Sequence, residues 1–172
     1  MNPRRLIILL VAALALLVAP ATAAAGQTYS DTISGYEYAF TSTDGRFAGT
    51  ASGALPGSWN ADVQHTPLCL SCTTTATVTG GSFSLATTHN GFPVLVSGAF
   101  VGGTVQVTNV GSNCSNQTFA VDGILGNVGW WSSGSGSGTG TFRATLTHYR
   151  HSVFGSCFTY GASVRGTLSL TL

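Results

Sequence analysis

Apolar and polar residues alternate one by one along much of the chain after residue 25. The pattern is clearest in residues 36–40, 47–55, 59–65, 83–85, 105–107, 119–125, 142–148 and 164–172. Successive side chains of a β-strand point to opposite faces of the sheet, so a period of two predicts strands with one buried face. Gly, Thr, Ser and Val dominate the same region and favour strands and turns over helices. We therefore expect an all-β fold of about eight or nine strands.

Turn residues and internal glycines indicate how these strands are arranged. Turn signals separate the alternating segments at Asp44-Gly45, Pro56-Gly57, Asn90-Gly91 and Gly111. Further glycines lie inside the predicted strands, at Gly49, Gly53, Gly98, Gly123 and Gly166. Glycine within a strand permits the sharp bends that a small closed barrel needs. We predict a single antiparallel β-barrel, with a β-sandwich as the alternative.

The N-terminus has the three parts of a secretory signal peptide. Arg4 and Arg5 supply positive charge, residues 6–19 form an unbroken apolar run, and small residues with two A-x-A sites follow. The apolar run is shorter than the roughly 20 residues of a membrane-spanning helix. We predict that residues 1–25 are a cleaved signal peptide. Residues 26–172 then form one secreted β domain without a membrane attachment.

The charge content narrows the range of partners. Charged residues make up 6% of the chain and hydrophobic residues 44%. This apolar fraction is too high for a disordered chain, so a packed core is expected. All six basic residues are arginines, and two of them lie in the signal segment. The domain therefore lacks the basic patch that a nucleic acid would require, and we expect no nucleic-acid partner.

Four cysteines predict two disulfide bonds in an exported protein. We favour Cys69–Cys72 together with Cys114–Cys157, although the two crossed pairings remain open. A metal site at Cys69 and Cys72 would need a second ligand pair at a matching spacing, and the sequence offers none. We expect neither a metal ion nor another cofactor.

A Gly- and Ser-rich segment interrupts the alternation at residues 126–140. It contains adjacent tryptophans, Trp130 and Trp131, followed by a Ser-Gly run. Such a composition predicts a flexible loop. An indole ring makes a good anchor, so the two tryptophans are candidates for a platform or lid over a sugar or an aromatic ligand.

Further candidate site residues are polar or aromatic side chains expected on the inner face: Tyr36, Tyr38, Trp59, His65 and His148. Both histidines are in phase with the apolar residues of their strands and stand near strand ends. A ligand cavity is mostly apolar with a few converging polar groups. We expect such a site at one rim of the barrel, near the two histidines and the tryptophan loop.

Catalytic motifs are missing from the sequence. It has no G-x-S-x-G nucleophile elbow and no two carboxylates close together on one strand face. We therefore expect a non-catalytic protein that binds a small apolar or aromatic molecule, or a glycan. The alternative is a structural or cell-surface interaction protein whose interior is filled by side chains, since a barrel of about eight strands can be either.

Overall fold

The computed structural model describes residues 26–68, 74–130 and 136–172. The predicted signal peptide, residues 1–25, lies outside the described residues, as do residues 69–73 and 131–135. The described residues form eight consecutive strands: β1 (Thr28–Phe40), β2 (Asp44–Gly53), β3 (Gly57–His65), β4 (Thr75–His89), β5 (Phe92–Asn109), β6 (Gln117–Trp130), β7 (Gly138–Val153) and β8 (Ser156–Thr171). A short 3₁₀ helix, Ser112–Cys114, lies between β5 and β6.

The strands form a closed antiparallel barrel in which each strand pairs with its neighbours in sequence, and β8 pairs with β1. The predicted barrel is confirmed, and the β-sandwich alternative is wrong. The closing pair runs from Thr28 opposite Thr171 to Gly35 opposite Val164. Among the described residues, no helix has the length and hydrophobicity needed to cross a bilayer.

Glycines allow neighbouring strands of the barrel to approach each other closely. Gly35 and Gly49 face each other across β1 and β2. A Cβ atom on Gly49 would lie only 2.0 Å from the carbonyl oxygen of Ser34. At Gly123, a Cβ atom would lie 2.4 Å from the ring of Phe100, so the ring occupies the place of the missing side chain. Glycine at these strand positions is therefore required by the close approach of a neighbouring strand or ring.

The two ends of the barrel differ in what they contain. The connections β1–β2, β3–β4, β5–β6 and β7–β8 lie at one end, named here the cavity end. Both termini of the barrel and the other three connections lie at the opposite, terminal end. The terminal half is packed with large side chains, among them Trp59, Phe100 and Phe142, whose ring centroids are 5.5 Å (Trp59–Phe142) and 5.9 Å (Phe100–Phe142) apart.

Strands extend into both ends of the predicted Gly/Ser loop. Strand β6 continues to Trp130 and β7 begins at Gly138. Residues 126–130 and 138–140 therefore belong to strands, and the prediction of one loop over 126–140 is wrong in its bounds. Gly126 and Asn127 of β6 lie in a register shift between Leu125 and Val128, which is typical of a β-bulge.

A disulfide bond joins two connected segments at the cavity end. Cys114 on the 3₁₀ helix is bonded to Cys157 on β8. This confirms the Cys114–Cys157 half of the favoured pairing and excludes both crossed pairings. The other half, Cys69–Cys72, lies outside the described residues. Residues 149–161 of β7 and β8, named here the arm, continue as a hairpin beyond Gly35, where the recorded β1–β8 pairing stops. The disulfide therefore joins the arm to the β5–β6 connection.

Candidate ligand-binding cavity

A cavity of about 330 Å³ opens at the cavity end of the barrel. Its apolar wall includes Phe47, Val63, Val105, Phe119, Val121 and Leu146. These side chains come from five strands and all follow the inward phase of the alternation, so the cavity is the part of the interior that side chains leave open. The polar groups on the wall include Glu37, Asp44, His65, Gln117 and His148.

Strand β1 presents Glu37 to the interior. The inward phase of β1 is set by its buried residues Tyr29, Asp31 and Ile33. Counting on by two residues leads to Gly35 and then Glu37. Tyr36 and Tyr38 consequently point outward and are 55% and 56% exposed. The prediction that these two tyrosines contribute hydroxyl groups to the inner face is wrong, because they stand in the opposite phase to the buried half of their strand.

A bulge in β1 then changes the phase and brings Phe40 to the cavity. Glu37 pairs with Phe47, whereas Ala39 pairs with Arg46, so Tyr38 is the additional residue on the bulged strand. A bulge of this kind reverses the faces to which the following side chains of the strand point. Phe40 lines the cavity, and its ring centroid lies 4.8 Å from that of His148.

Glu37 and His148 form a buried pair on the cavity wall. Nε2 of His148 lies 2.6 Å from Oε2 of Glu37, and the side chains are 9% and 3% exposed respectively. The imidazole also contacts the ring of Phe119, at a centroid distance of 5.0 Å. The pair joins β1 to β7 at the level where β1 has separated from β8. It thus helps to close the barrel wall at the cavity end.

The remaining polar groups are held by local hydrogen bonds. The amide nitrogen of Gln117 donates to the carbonyl oxygen of Val110, at 3.0 Å. The hydroxyl group of Thr41 donates to a carboxylate oxygen of Asp44. Nδ1 of His65 lies 2.8 Å from the carbonyl oxygen of Thr66, which can only accept, so this nitrogen is the donor. Of the described residues that line the cavity, none is an arginine.

The structure brings together some of the predicted site residues. His65 and His148 both line the cavity, at the rim where the sequence analysis expected them. Trp59 is an inward residue, as predicted, but it is fully buried in the packed terminal half. Its indole nitrogen donates to the carbonyl oxygen of Thr50, at 3.1 Å. Trp59 is therefore a core residue that does not line the cavity.

The tryptophan loop does not share the rim with the histidines. Trp130 ends β6 at the terminal end, where its ring lies 5.6 Å from Tyr29 and 4.8 Å from His89. Trp131 lies outside the described residues. The hypothesis of one site that combines this loop with His65 and His148 is wrong, since consecutive antiparallel strands end at opposite ends of the barrel.

Sequence reasoning missed Glu37, the most deeply buried charged group of the cavity. A signal was available in the alternation of Tyr29, Asp31 and Ile33, which places residue 37 on the same face. The tyrosines on either side of Glu37 obscure this signal, because their own alternation predicts the opposite phase. An exposed tyrosine in a low-charge protein is unexceptional.

Comparisons of the chain with models of protein families, with curated proteins and with solved structures found no match. We therefore base the function on the geometry and chemistry of the cavity.

Proposed function

We propose that this chain is a secreted, non-catalytic β-barrel protein that binds one small, mainly apolar or aromatic molecule in its cavity. The volume of about 330 Å³ is at the lower end of the range of ligand pockets. An apolar cavity of about 150 Å³ can bind benzene, so a cavity about twice as large suits a molecule of about two rings.

The observation that carries this proposal is the buried Glu37–His148 pair on a mainly apolar wall. Removing a carboxylate and an imidazole from water costs free energy, and apolar side chains of similar volume often serve a fold equally well. A pair kept at the edge of an open cavity is thus better explained by a ligand than by packing. A few converging polar groups in an apolar pocket are typical of ligand sites.

Two alternatives are less well supported. A structural protein with a filled interior fits the terminal half of the barrel, where Trp59 and Phe142 pack together, but not the open cavity half. A glycan site depended on Trp130 and Trp131 as a platform. The ring of Trp130 instead packs against Tyr29 and His89, which favours an apolar ligand in the cavity over a glycan at the loop.

Secretion rests on the signal-like N-terminus and on the disulfide between Cys114 and Cys157, a bond typical of exported proteins. N-terminal sequencing of the exported chain tests this part of the proposal. Cleavage at either A-x-A site gives a first residue of Ala24 or Gly26. A chain that begins at Met1 contradicts it.

The test of ligand binding uses two substitutions on one strand. Val121→Phe places a ring inside the cavity, whereas Ile124→Phe adds the same ring on the exposed outer face of β6. We expect small two-ring compounds to bind the wild type and Ile124→Phe, measured by calorimetry and by the shift in melting temperature. Val121→Phe should lose at least about tenfold in affinity, because the ring takes the ligand's place.

Melting curves of both variants establish that they are folded before binding is compared. Equal affinity of Val121→Phe and Ile124→Phe would place the ligand outside the cavity. A wild-type chain that binds none of the compounds, and that carries no small molecule in its native mass spectrum after secretion, would favour the structural alternative.

A further inference from the structure

The charged and imidazole groups of the cavity leave hydrogen-bond acceptors free. An ionised carboxylate has about four acceptor positions on two oxygens, and His148 occupies one of them on Glu37. The second oxygen, Oε1, lies over Gly45, at 2.6 Å from the point where a Cβ atom would stand. Gly45 itself lines the cavity, so this oxygen borders the space that its missing side chain leaves.

The two other titratable groups of the wall, Asp44 and His65, also offer hydrogen-bond acceptors to the cavity. Asp44 adds a second carboxylate to the rim. His65 uses Nδ1 as the donor to Thr66, which leaves Nε2 as an acceptor when the imidazole is neutral. The amide group of Gln117 is a donor, but it is bound to the carbonyl oxygen of Val110.

A negatively charged ligand would meet unfavourable electrostatics in this cavity. Its charge would lie beside the carboxylates of Glu37 and Asp44. The chain contains no lysine, and no arginine is among the described lining residues. The histidines are thus the only basic groups among the described lining residues, and His148 is already paired with Glu37. Like charges that are brought together away from water weaken binding and so give selectivity against the wrong ligand.

We infer that the cavity selects a ring compound whose polar group is a hydrogen-bond donor without negative charge, a hydroxyl or an amino group, and discriminates against the same skeleton with a carboxylate. This inference rests on the proposed function. The donor reaches the acceptors of Glu37, and the rings occupy the apolar wall. A hydrogen bond to a charged group is strong enough to account for a preference of about tenfold or more.

The experiment compares four ligands with one skeleton: naphthalene, naphthol, naphthylmethylamine and naphthoate. Calorimetry on the wild-type domain should give naphthol and naphthylmethylamine an affinity at least about tenfold higher than that of naphthoate. Glu37→Gln keeps the shape of the side chain and an oxygen for His148, but it removes the charge. In this variant the difference between donors and naphthoate should shrink to about threefold or less.

Asp122→Asn is the matched control. It removes the same charge from an exposed carboxylate, which pairs with Arg143 at the outer surface at 3.5 Å. This variant should keep the wild-type order of affinities. If Glu37→Gln does not fold, ring resonances of the wild type provide the second measurement. Naphthol should shift the signal of His148 and leave that of His89, at the terminal end, unchanged.

The outcomes separate the inference from the proposed function. Naphthoate binding as tightly as naphthol, an unchanged preference in Glu37→Gln, or an unmoved His148 signal each overturn the inference. If naphthalene binds the wild type without any preference among the derivatives, the proposed function stands and the inference fails. If none of the four compounds binds, the proposed function itself is contradicted.

Discussion

At the residue scale, a single glutamate places a carboxylate in the interior of the barrel. Glu37 lies opposite Phe47 in the β1–β2 pair, a position that an apolar side chain could fill. The carboxylate is instead buried against His148, at 2.6 Å, and both groups border open space. Since removing either partner would leave the other buried without its counter-group, the two residues must be considered as one unit.

Phe154 is a second residue that packing does not explain. It forms the two-residue turn of the arm together with Gly155, with φ angles of 49° and 80°. Two positive φ angles are typical of a type I′ turn, which prefers Asn-Gly, and a bulky residue in this region is strained. The ring of Phe154 is fully exposed and gains no burial in return.

We predict that Phe154→Asn raises the free energy of unfolding by about 1 kcal/mol. The β4–β5 turn supplies a matched control, because Asn90 and Gly91 have almost the same φ angles, 51° and 81°. Asn90→Phe should lower stability by a similar amount. Denaturant titration of both variants measures the two changes. A destabilised Phe154→Asn would mean that the ring makes a favourable contact.

Strand β1 shows, at the scale of elements, what the sequence could predict and what it could not. Alternation and strand glycines were enough to predict a closed barrel, because both are local features that every strand repeats. Alternation alone predicts the wrong inward face for β1 because the two halves of the strand differ. Tyr29 and Ile33 face inward, whereas the bulge at Tyr38 turns Phe40 to the cavity side. A bulge depends on the register of the neighbouring strand, which the sequence does not show.

The position of the tryptophan loop could have been deduced from strand order alone. In a barrel whose consecutive strands are antiparallel, β6 and β7 end at opposite ends. Trp130 closes β6, and His148 lies near the end of β7. The combined site therefore fails on strand order, whereas the placement of His65 and His148 on the inner face depends on phase alone and is confirmed.

The arm depends on its covalent tie to the β5–β6 connection. The Cys114–Cys157 bond spans 43 residues. Arg150 adds two hydrogen bonds, from its guanidinium group to the carbonyl oxygen of Gly111 and from its backbone nitrogen to Asn116. A crosslink of this length restricts the unfolded chain and is expected to contribute about 4 kcal/mol by loop entropy.

We predict that Cys114→Ser/Cys157→Ser lowers the free energy of unfolding by about 4 kcal/mol and speeds hydrogen exchange in residues 149–161. Cys69→Ser/Cys72→Ser is the control, since the predicted bond between these residues closes only a short loop, which limits its contribution to about 2 kcal/mol. Thermal and denaturant melts under oxidising conditions compare the two. A larger loss in the control variant would reverse the ranking.

The whole molecule combines a packed half with an open half. Trp59, Phe100 and Phe142 fill the terminal half, whereas the side chains of the cavity half leave about 330 Å³ free. Stability should therefore depend mainly on the terminal half. The cavity half gives up packing contacts for a binding site, as functional sites commonly do.

We predict that two Phe→Ala substitutions on adjacent strands differ in their cost. Phe142 is fully buried in the terminal half, so Phe142→Ala creates a new void and should cost about 4 kcal/mol. Phe119 already borders the cavity, so Phe119→Ala only enlarges an existing space and should cost about 2 kcal/mol. Denaturant titration measures both, and a two-ring ligand should raise the melting temperature of Phe142→Ala as it does that of the wild type. Equal costs for the two variants would indicate that Phe119 is packed as tightly as Phe142, and the interior would then lack the open space that the proposed ligand needs.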